Sequence, residues 1–192
     1  MGQPLNEGPN RCAVVCLCGS AGALDAYRAI LASLTAAHRV AIVVLAHRQP
    51  GNHTLLPLLA KVTNMSVSEV EEGMAIEPNR VFLMPPRGVH MTTTEGRFHL
   101  KTHLKLGWPT SITAFLSSLA KSVGSRAVAV ILSGMAADGS AALGAIKAGG
   151  GKTFAQSGAV YESMPQHAID TGHVDYVLSA PQIGAHLANI YA

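Results

Sequence analysis

Three short apolar runs constrain the fold of this chain more than any other feature of its sequence. They occupy Cys12 to Cys18, Val40 to Ala46 and Ala127 to Leu132. Continuous apolar residues over the length of a strand indicate strands that are buried on both faces, which is typical of a parallel sheet covered by helices. The composition agrees with this interpretation, because 48% of the residues are hydrophobic and only 13% are charged.

The segments between these runs have the spacing of helices. From Leu24 to Leu34 the apolar residues recur at helical intervals, so the first two runs and this segment form a strand, helix, strand unit. A helix through Ile112 to Leu119 leads to the third run, and further alternating segments continue to a final helix from Pro181. We therefore predict an α/β fold with three layers, α/β/α, around a mostly parallel sheet.

One region has a different pattern. Val81 to Met84, Val89 to Thr94 and Phe98 to Thr102 are short β-like runs separated by turn residues, Pro85-Pro86-Arg87-Gly88 and Glu95-Gly96. Such spacing is typical of antiparallel hairpins. We predict an antiparallel hairpin insertion at one edge of the sheet.

The length and composition favour a single domain. A chain of 192 residues can bury a substantial core in one unit, and no linker or repeat interrupts it. Residues 1–10 are polar and rich in glycine and proline, so we predict a disordered tail there and one domain over residues 11–192.

Charge, cysteine and hydropathy patterns exclude several classes of partner. The net charge of +3 comes from scattered residues without a basic stripe, which argues against nucleic acid. No apolar run is long enough to span a membrane, so we expect no membrane insertion.

Cys12, Cys16 and Cys18 share one strand face, which predicts core residues rather than a disulfide framework or a metal site. Free cysteines also fit a reducing cytoplasm. His99 and His103 lie in or beside a predicted strand, which argues against a metal pair.

A serine, a histidine and an aspartate follow the three apolar runs. Ser20 lies in Gly19-Ser20-Ala21-Gly22 after the first run, His47 follows the second, and Asp138 lies in the loop after the third. The carboxyl ends of parallel strands meet at one edge of a sheet, where ligands bind. We therefore expect these three side chains to lie close together.

These residue types suit serine hydrolysis. A histidine takes the proton of a serine hydroxyl, and a carboxylate holds the imidazole in the required tautomer. Each residue alone has another interpretation, since Ser20 and Asp138 could cap helices and His47 could be a surface histidine. The chain order Ser, His, Asp differs from that of α/β-hydrolases and common serine proteases, and Cys18 replaces the first glycine of their G-x-S-x-G turn.

From about Val14 to Ile190 the chain resembles the catalytic domain of the chemotaxis receptor methylesterase family, CheB. The residues that carry the resemblance are Gly19-Ser20 with Gly22, His47 with Pro50-Gly51, Pro85 with Arg87 and His90, Val130 to Met135 before Asp138-Gly139, Ala155-Gln156, and Met164-Pro165 before Ala168-Ile169.

The resemblance implies roles for these residues. Ser20 would be the nucleophile, His47 the general base and later the general acid, and Asp138 the orienting carboxylate, with Ala21 and Met135 as oxyanion or active-site support. It implies hydrolysis of glutamate methyl esters on the cytoplasmic helices of bacterial chemoreceptors, deamidation of receptor glutamines, a cytoplasmic location and no cofactor or metal.

Some features differ from the family pattern. Ala21 stands where the family usually has threonine, so a supporting hydroxyl is absent while the backbone amide remains. The segment Trp108 to Thr113 replaces a more polar family segment, and the residues before Cys12 are too few for the receiver domain that family proteins commonly carry. A receiver domain acting in trans is therefore one expected partner.

Two alternative functions stay open: a weakly active receptor-binding or regulatory module, and a serine esterase or amidase with a non-chemotaxis substrate.

Overall fold

The computed structural model describes residues 12–102 and 110–192, so the tail predicted for residues 1–10 lies outside the described residues. The strands are β1 (Val14–Gly19), β2 (Ala41–Ala46), β3 (Ser66–Glu69), β4 (Arg80–Leu83), β5 (Val89–Thr94), β6 (Arg97–Thr102), β7 (Ala127–Ile131), β8 (Lys152–Gln156) and β9 (Tyr176–Leu178). The α-helices are α1 (Leu24–Ser33), α2 (Leu55–Ala60), α3 (Ser111–Val123), α4 (Leu143–Ala148), α5 (Ser163–Asp170) and α6 (Ala180–Ile190).

Seven strands form one parallel sheet in the order β3-β4-β2-β1-β7-β8-β9. Alternate residues of β1 pack on opposite faces, with Val15 and Leu17 in a core with α1 and α6, and Cys16 and Cys18 in a core with α3 and α4. The three-layer α/β/α prediction is confirmed. Cys12 and its two neighbours on that face are buried free thiols, as expected. Among the described residues, no helix combines the length and the apolar character needed to cross a membrane.

Complete burial of the central strands explains why their sequences are apolar without alternation. All six residues of β1 and all six of β2 are buried. Each fully buried Val, Leu or Ile side chain contributes roughly 1.5–3 kcal/mol relative to an exposed one. Burial of these two strands therefore fixes the positions at which the loops after them begin.

The antiparallel insertion is the hairpin of β5 and β6, which forms a separate two-stranded sheet. It packs on α3, and the ring of Phe98 stacks on that of Phe115 with centroids 5.9 Å apart. The prediction that Val81 to Met84 belongs to this insertion is wrong, because β4 pairs in parallel with both β2 and β3. An apolar run of four residues carries no information about strand direction, and the prolines after it suggested a hairpin turn.

The strand order places a crevice at the carboxyl edge beside β1. The chain passes from β1 to β2 on one side, whereas β7 lies on the other side of β1. In open parallel sheets such a reversal separates the loops and leaves room for a ligand. The loops after β1 and β7 nevertheless meet below the crevice, where the Ser20 amide donates a 2.9 Å hydrogen bond to the Ser133 carbonyl.

Gly22 allows the turn after Ser20 to pack closely against neighbouring loops. Its φ is +75°, and a Cβ atom there would lie 2.7 Å from Ser133 Oγ and 2.9 Å from Val160 Cβ. Both the backbone conformation and the lack of space require glycine at this position.

We expect Gly22→Ala to destabilise the protein more than Gly73→Ala. Gly73 has nearly the same φ, +74°, but a Cβ atom there meets nothing within 4 Å. The left-handed conformation costs both variants about 1–2 kcal/mol, whereas overpacking adds about 1–3 kcal/mol in Gly22→Ala alone. Urea unfolding measures the difference, and equal losses of stability would contradict the close packing described for Gly22.

Candidate active site

The register of β1 and β2 brings Ser20 and His47 together. Gly19 pairs with Ala46 at the carboxyl ends of the two strands, so Ser20 and His47 follow directly at adjacent strand ends. Ser20 is half-buried. The imidazole of His47 is only 4% exposed. The serine is therefore open to solvent on one side, while the histidine lies in the protein.

His47 contacts Asp138 directly. Its Nε2 atom lies 2.9 Å from Asp138 Oδ2, and the aspartate side chain is 1% exposed. An ionised carboxylate only accepts hydrogen bonds, so Nε2 carries the proton in the neutral ring. The other nitrogen, Nδ1, is then left with a lone pair that can accept a proton from a substrate or a nucleophile.

The beginning of α3 holds the Asp138 carboxylate in place. The backbone amides of Ile112 and Thr113 donate to Oδ2 and Oδ1 at 3.0 and 2.9 Å, and the Thr113 hydroxyl donates to Oδ1 at 2.8 Å. The same hydroxyl accepts a 2.8 Å hydrogen bond from the Gly139 amide. Asp138 thus satisfies helix amides that have no partner within the helix, and it lies in the favourable field of the helix dipole.

These hydrogen bonds determine the charge of Asp138. Burial alone raises the pKa of Asp138, but hydrogen bonds from His47, Thr113 and Ile112 outweigh it and hold the pKa below that of an ordinary aspartate. The carboxylate is therefore ionised at neutral pH and stabilises positive charge on the imidazole.

Among the described residues, the Ser20 side chain makes no hydrogen bond with His47. Hydrogen bonds of this kind are often long in enzymes without substrate and shorten in the reacting complex. Within the described residues, the amides of Ala21 and Gly22 also donate no hydrogen bond. Of the predicted trio, the structure therefore shows the His47–Asp138 pair in direct contact, with Ser20 at the end of the neighbouring strand.

The two residues predicted to support the site, Ala21 and Met135, are both exposed. Met135 is 68% exposed. Ala21 is exposed, and its carbonyl accepts a 2.8 Å hydrogen bond from Ser133 Oγ. Their proposed part in oxyanion binding stays a prediction.

A buried serine connects three loops at the site, and sequence reasoning did not single it out. Ser133 Oγ accepts from the Tyr161 amide at 3.0 Å, and the Ser133 amide donates to Gln156 Oε1 at 3.0 Å. With its bond to Ala21, Ser133 links the loops after β1, β7 and β8. Its position directly after an apolar run was the only signal in the sequence, because its partners are distant along the chain.

Arg48, directly after His47, was also missed. It is 5% exposed, and its guanidinium donates to Asn52 O, Glu69 Oε2 and Met84 O at 2.9, 2.8 and 2.7 Å. A buried arginine is stable only with such partners. It ties the loop that follows His47 to the ends of β3 and β4.

No group of three residues that could hold a metal ion occurs within residues 12–102 and 110–192. His99 does have an acidic neighbour, because its Nδ1 atom forms a 3.2 Å hydrogen bond with Oε1 of Glu72, a residue distant in the sequence. His103, the second residue of the pair considered above, lies outside the described residues, as does Trp108.

Comparison with known proteins identifies the family. The family model described as CheB methylesterase matches residues 15–187. The chain belongs to the CheB methylesterase family. The crystal structure of the Thermotoga maritima CheB methylesterase catalytic domain is similar, with a TM-score of 0.84 and 28% sequence identity, over 93% of this chain and 98% of that one.

Curated relatives extend the CheB comparison. A protein-glutamate methylesterase/protein-glutamine glutaminase 2 of Pseudomonas aeruginosa is 31% identical over 182 residues, which are 91% of this chain and 52% of the relative. A Rhodobacter capsulatus protein described as an uncharacterized 104.1 kDa protein in hypE 3'region is 43% identical over 138 residues, 69% of this chain and 14% of that protein. The chain spans about half the length of the curated methylesterases that it matches, and a much smaller part of the 104.1 kDa protein.

We expect Asp138→Asn to change how stability depends on pH. Because the folded-state pKa of Asp138 is lowered, its ionised form stabilises the fold above the ordinary aspartate pKa of about 3.9, and this contribution is lost as pH falls through the lowered value. The excess unfolding free energy of the wild type over Asp138→Asn should therefore shrink from about pH 5 to about pH 2. Urea unfolding at both pH values measures it.

The control for this experiment is Asp25→Asn, at a side chain that is 93% exposed. Its effect on unfolding should be small at both pH values. An Asp138→Asn difference that stays constant or grows as the pH falls would contradict a lowered pKa.

We expect Thr113→Val to destabilise the protein by about 1–3 kcal/mol, because it removes a hydrogen bond to Asp138 and leaves the Gly139 amide without a partner. Valine has nearly the same shape as threonine, so packing changes little. Thr113→Ser keeps the hydroxyl and is the matched control in urea unfolding. Similar losses in both variants would indicate that the methyl group, not the hydroxyl, matters.

Proposed function

We propose that this chain is a serine hydrolase that removes methyl groups from glutamate methyl esters on the cytoplasmic helices of bacterial chemoreceptors. The observation that carries the proposal is the 2.9 Å His47–Asp138 bond beside Ser20, at the carboxyl edge of a CheB methylesterase fold. The names of the curated methylesterases support the substrate.

In the proposed reaction, Ser20 Oγ attacks the ester carbonyl while His47 Nδ1 takes its proton. The imidazolium is stabilised by Asp138, and the amides of Ala21 and Gly22, which donate no other hydrogen bond within the described residues, donate to the developing oxyanion, with Met135 as further support. The His47 proton then passes to the departing methanol, leaving an acyl ester on Ser20. Water, deprotonated by the same nitrogen, releases the glutamate carboxylate and restores the serine.

The same steps deamidate a glutamine, with ammonia as the leaving group. The double name of the curated relatives, methylesterase and glutaminase, supports this second activity. Neither reaction requires a metal or another cofactor, because the hydroxyl, the imidazole and the amides supply every proton and hydrogen bond.

The substrate also suggests where the protein acts. Esters on the cytoplasmic part of a receptor require a cytoplasmic enzyme, and three buried free thiols fit that compartment. We further propose that residues 11–192 act as one catalytic domain and that a receiver domain in trans is a partner. The alternative, a weakly active receptor-binding or regulatory module, is motivated by Ala21, which offers no hydroxyl.

We expect Ser20→Ala to abolish methanol release from a methylated receptor fragment, with a loss on the order of a million-fold in kcat, because the nucleophile is removed. Ser66→Ala is the control, since Ser66 is exposed at the start of β3, on the opposite edge of the sheet, and should retain activity.

Three outcomes separate the candidate functions. Equal release by Ser20→Ala and wild type, or none by either, would contradict the mechanism on this substrate. Binding of the fragment without turnover would favour the module. Hydrolysis of small esters but not of the receptor would favour a serine esterase or amidase with another substrate.

A further inference from the structure

Three exposed apolar side chains lie on loops that contact Ser20 or the turn that follows it. Met135 is 68% exposed, Val160 is 73% exposed and Tyr161 is 43% exposed. We call these three residues the apolar rim. Of the large apolar residues that are exposed within the described ranges, the other two are Val177 on β9 and Ile190 at the end of α6. The apolar rim is therefore a local concentration of exposed apolar surface.

The apolar rim lies on loops that are fixed to the Ser20 turn. A Cβ atom on Gly22 would come within 2.9 Å of Val160 Cβ and 3.0 Å of Tyr161 Cδ2, so both side chains lie against this turn. The Tyr161 amide donates to Ser133 Oγ at 3.0 Å, and its carbonyl accepts from the Gly134 amide at 3.1 Å. These contacts hold Val160 and Tyr161 close to the Ser20 turn.

Clustered exposed apolar side chains mark binding surfaces, whereas single ones need no explanation. A methyl ester group is too small to cover three large side chains. The apolar rim lies next to the Ser20 turn, so a large molecule whose ester is bound at Ser20 also meets this surface.

We propose that the apolar rim is a docking surface for the protein that carries the methyl ester, and that Val160 and Tyr161 determine specificity by packing on apolar side chains next to the modified glutamate. This inference rests on the proposed function and extends it: the enzyme recognises a protein surface around the ester and not the ester alone. Burial of Val160 and Tyr161 on the substrate stabilises the complex, and turnover of small esters depends less on them.

The test compares Val160→Ser and Tyr161→Ser with Val177→Ser, which removes an exposed valine at 48% exposure on edge strand β9. Methanol release from a methylated receptor fragment and hydrolysis of p-nitrophenyl acetate give kcat/KM for each substrate. We expect each rim variant to lower the ratio of receptor to small-ester kcat/KM about tenfold, mainly through KM. Val177→Ser should leave that ratio at the wild-type value.

A binding measurement separates this proposal from the catalytic one. The affinity of the methylated fragment for Ser20→Ala protein is measured with and without Val160→Ser, so it does not depend on turnover. A weaker affinity caused by Val160→Ser, but not by Val177→Ser, supports docking even if methanol release fails. Equal losses on both substrates, equal effects of Val160→Ser and Val177→Ser, or no binding of the fragment would overturn the docking proposal. Thermal unfolding confirms that each variant is folded.

Discussion

The buried carboxylate of Asp138 is the constraint on which the site depends. Its two oxygens accept hydrogen bonds from two amides at the beginning of α3, from the Thr113 hydroxyl and from the His47 imidazole. A buried ionised carboxylate is tolerated only with such a set of donors. The carboxylate oxygens that accept hydrogen bonds from the beginning of α3 thus also set the tautomer of His47. A change at Asp138 would affect both the packing of α3 and the protonation of the imidazole nitrogens.

Small residues and one buried hydroxyl allow the loops around Ser20 to pack closely. Gly22 lies against Ser133 and Val160, and a Cβ atom on Gly134 would lie 2.6 Å from Met164 Sδ and 3.3 Å from Ser20 Cβ. Ser133 then joins the loops after β1, β7 and β8 by hydrogen bonds. Ser20 therefore lies in a closely packed turn, which is the condition for a preorganised site.

The sequence predicted the parts of this arrangement that follow from strand ends. The contact between His47 and Asp138 could be predicted because parallel strands terminate at one edge, and completely buried strands are visible as continuous apolar runs. Thr113, Ser133 and Arg48 could not be found in this way, since their roles depend on partners in distant loops. The direction of β4 could not be predicted from its apolar residues either, because a run of four fits a parallel strand and a hairpin equally well.

The strand order gives the His47–Asp138 contact one more property. His47 belongs to the half of the sheet that contains β2, β4 and β3, whereas Asp138 follows β7 in the other half, and β1 lies between them. The 2.9 Å bond therefore crosses β1 and joins the two halves at their carboxyl edge. A displacement of about 1 Å along the line that joins His47 Nε2 and Asp138 Oδ2 would lengthen the contact beyond hydrogen-bonding range. The His47–Asp138 contact would thus respond to displacements that are far too small to unfold the protein.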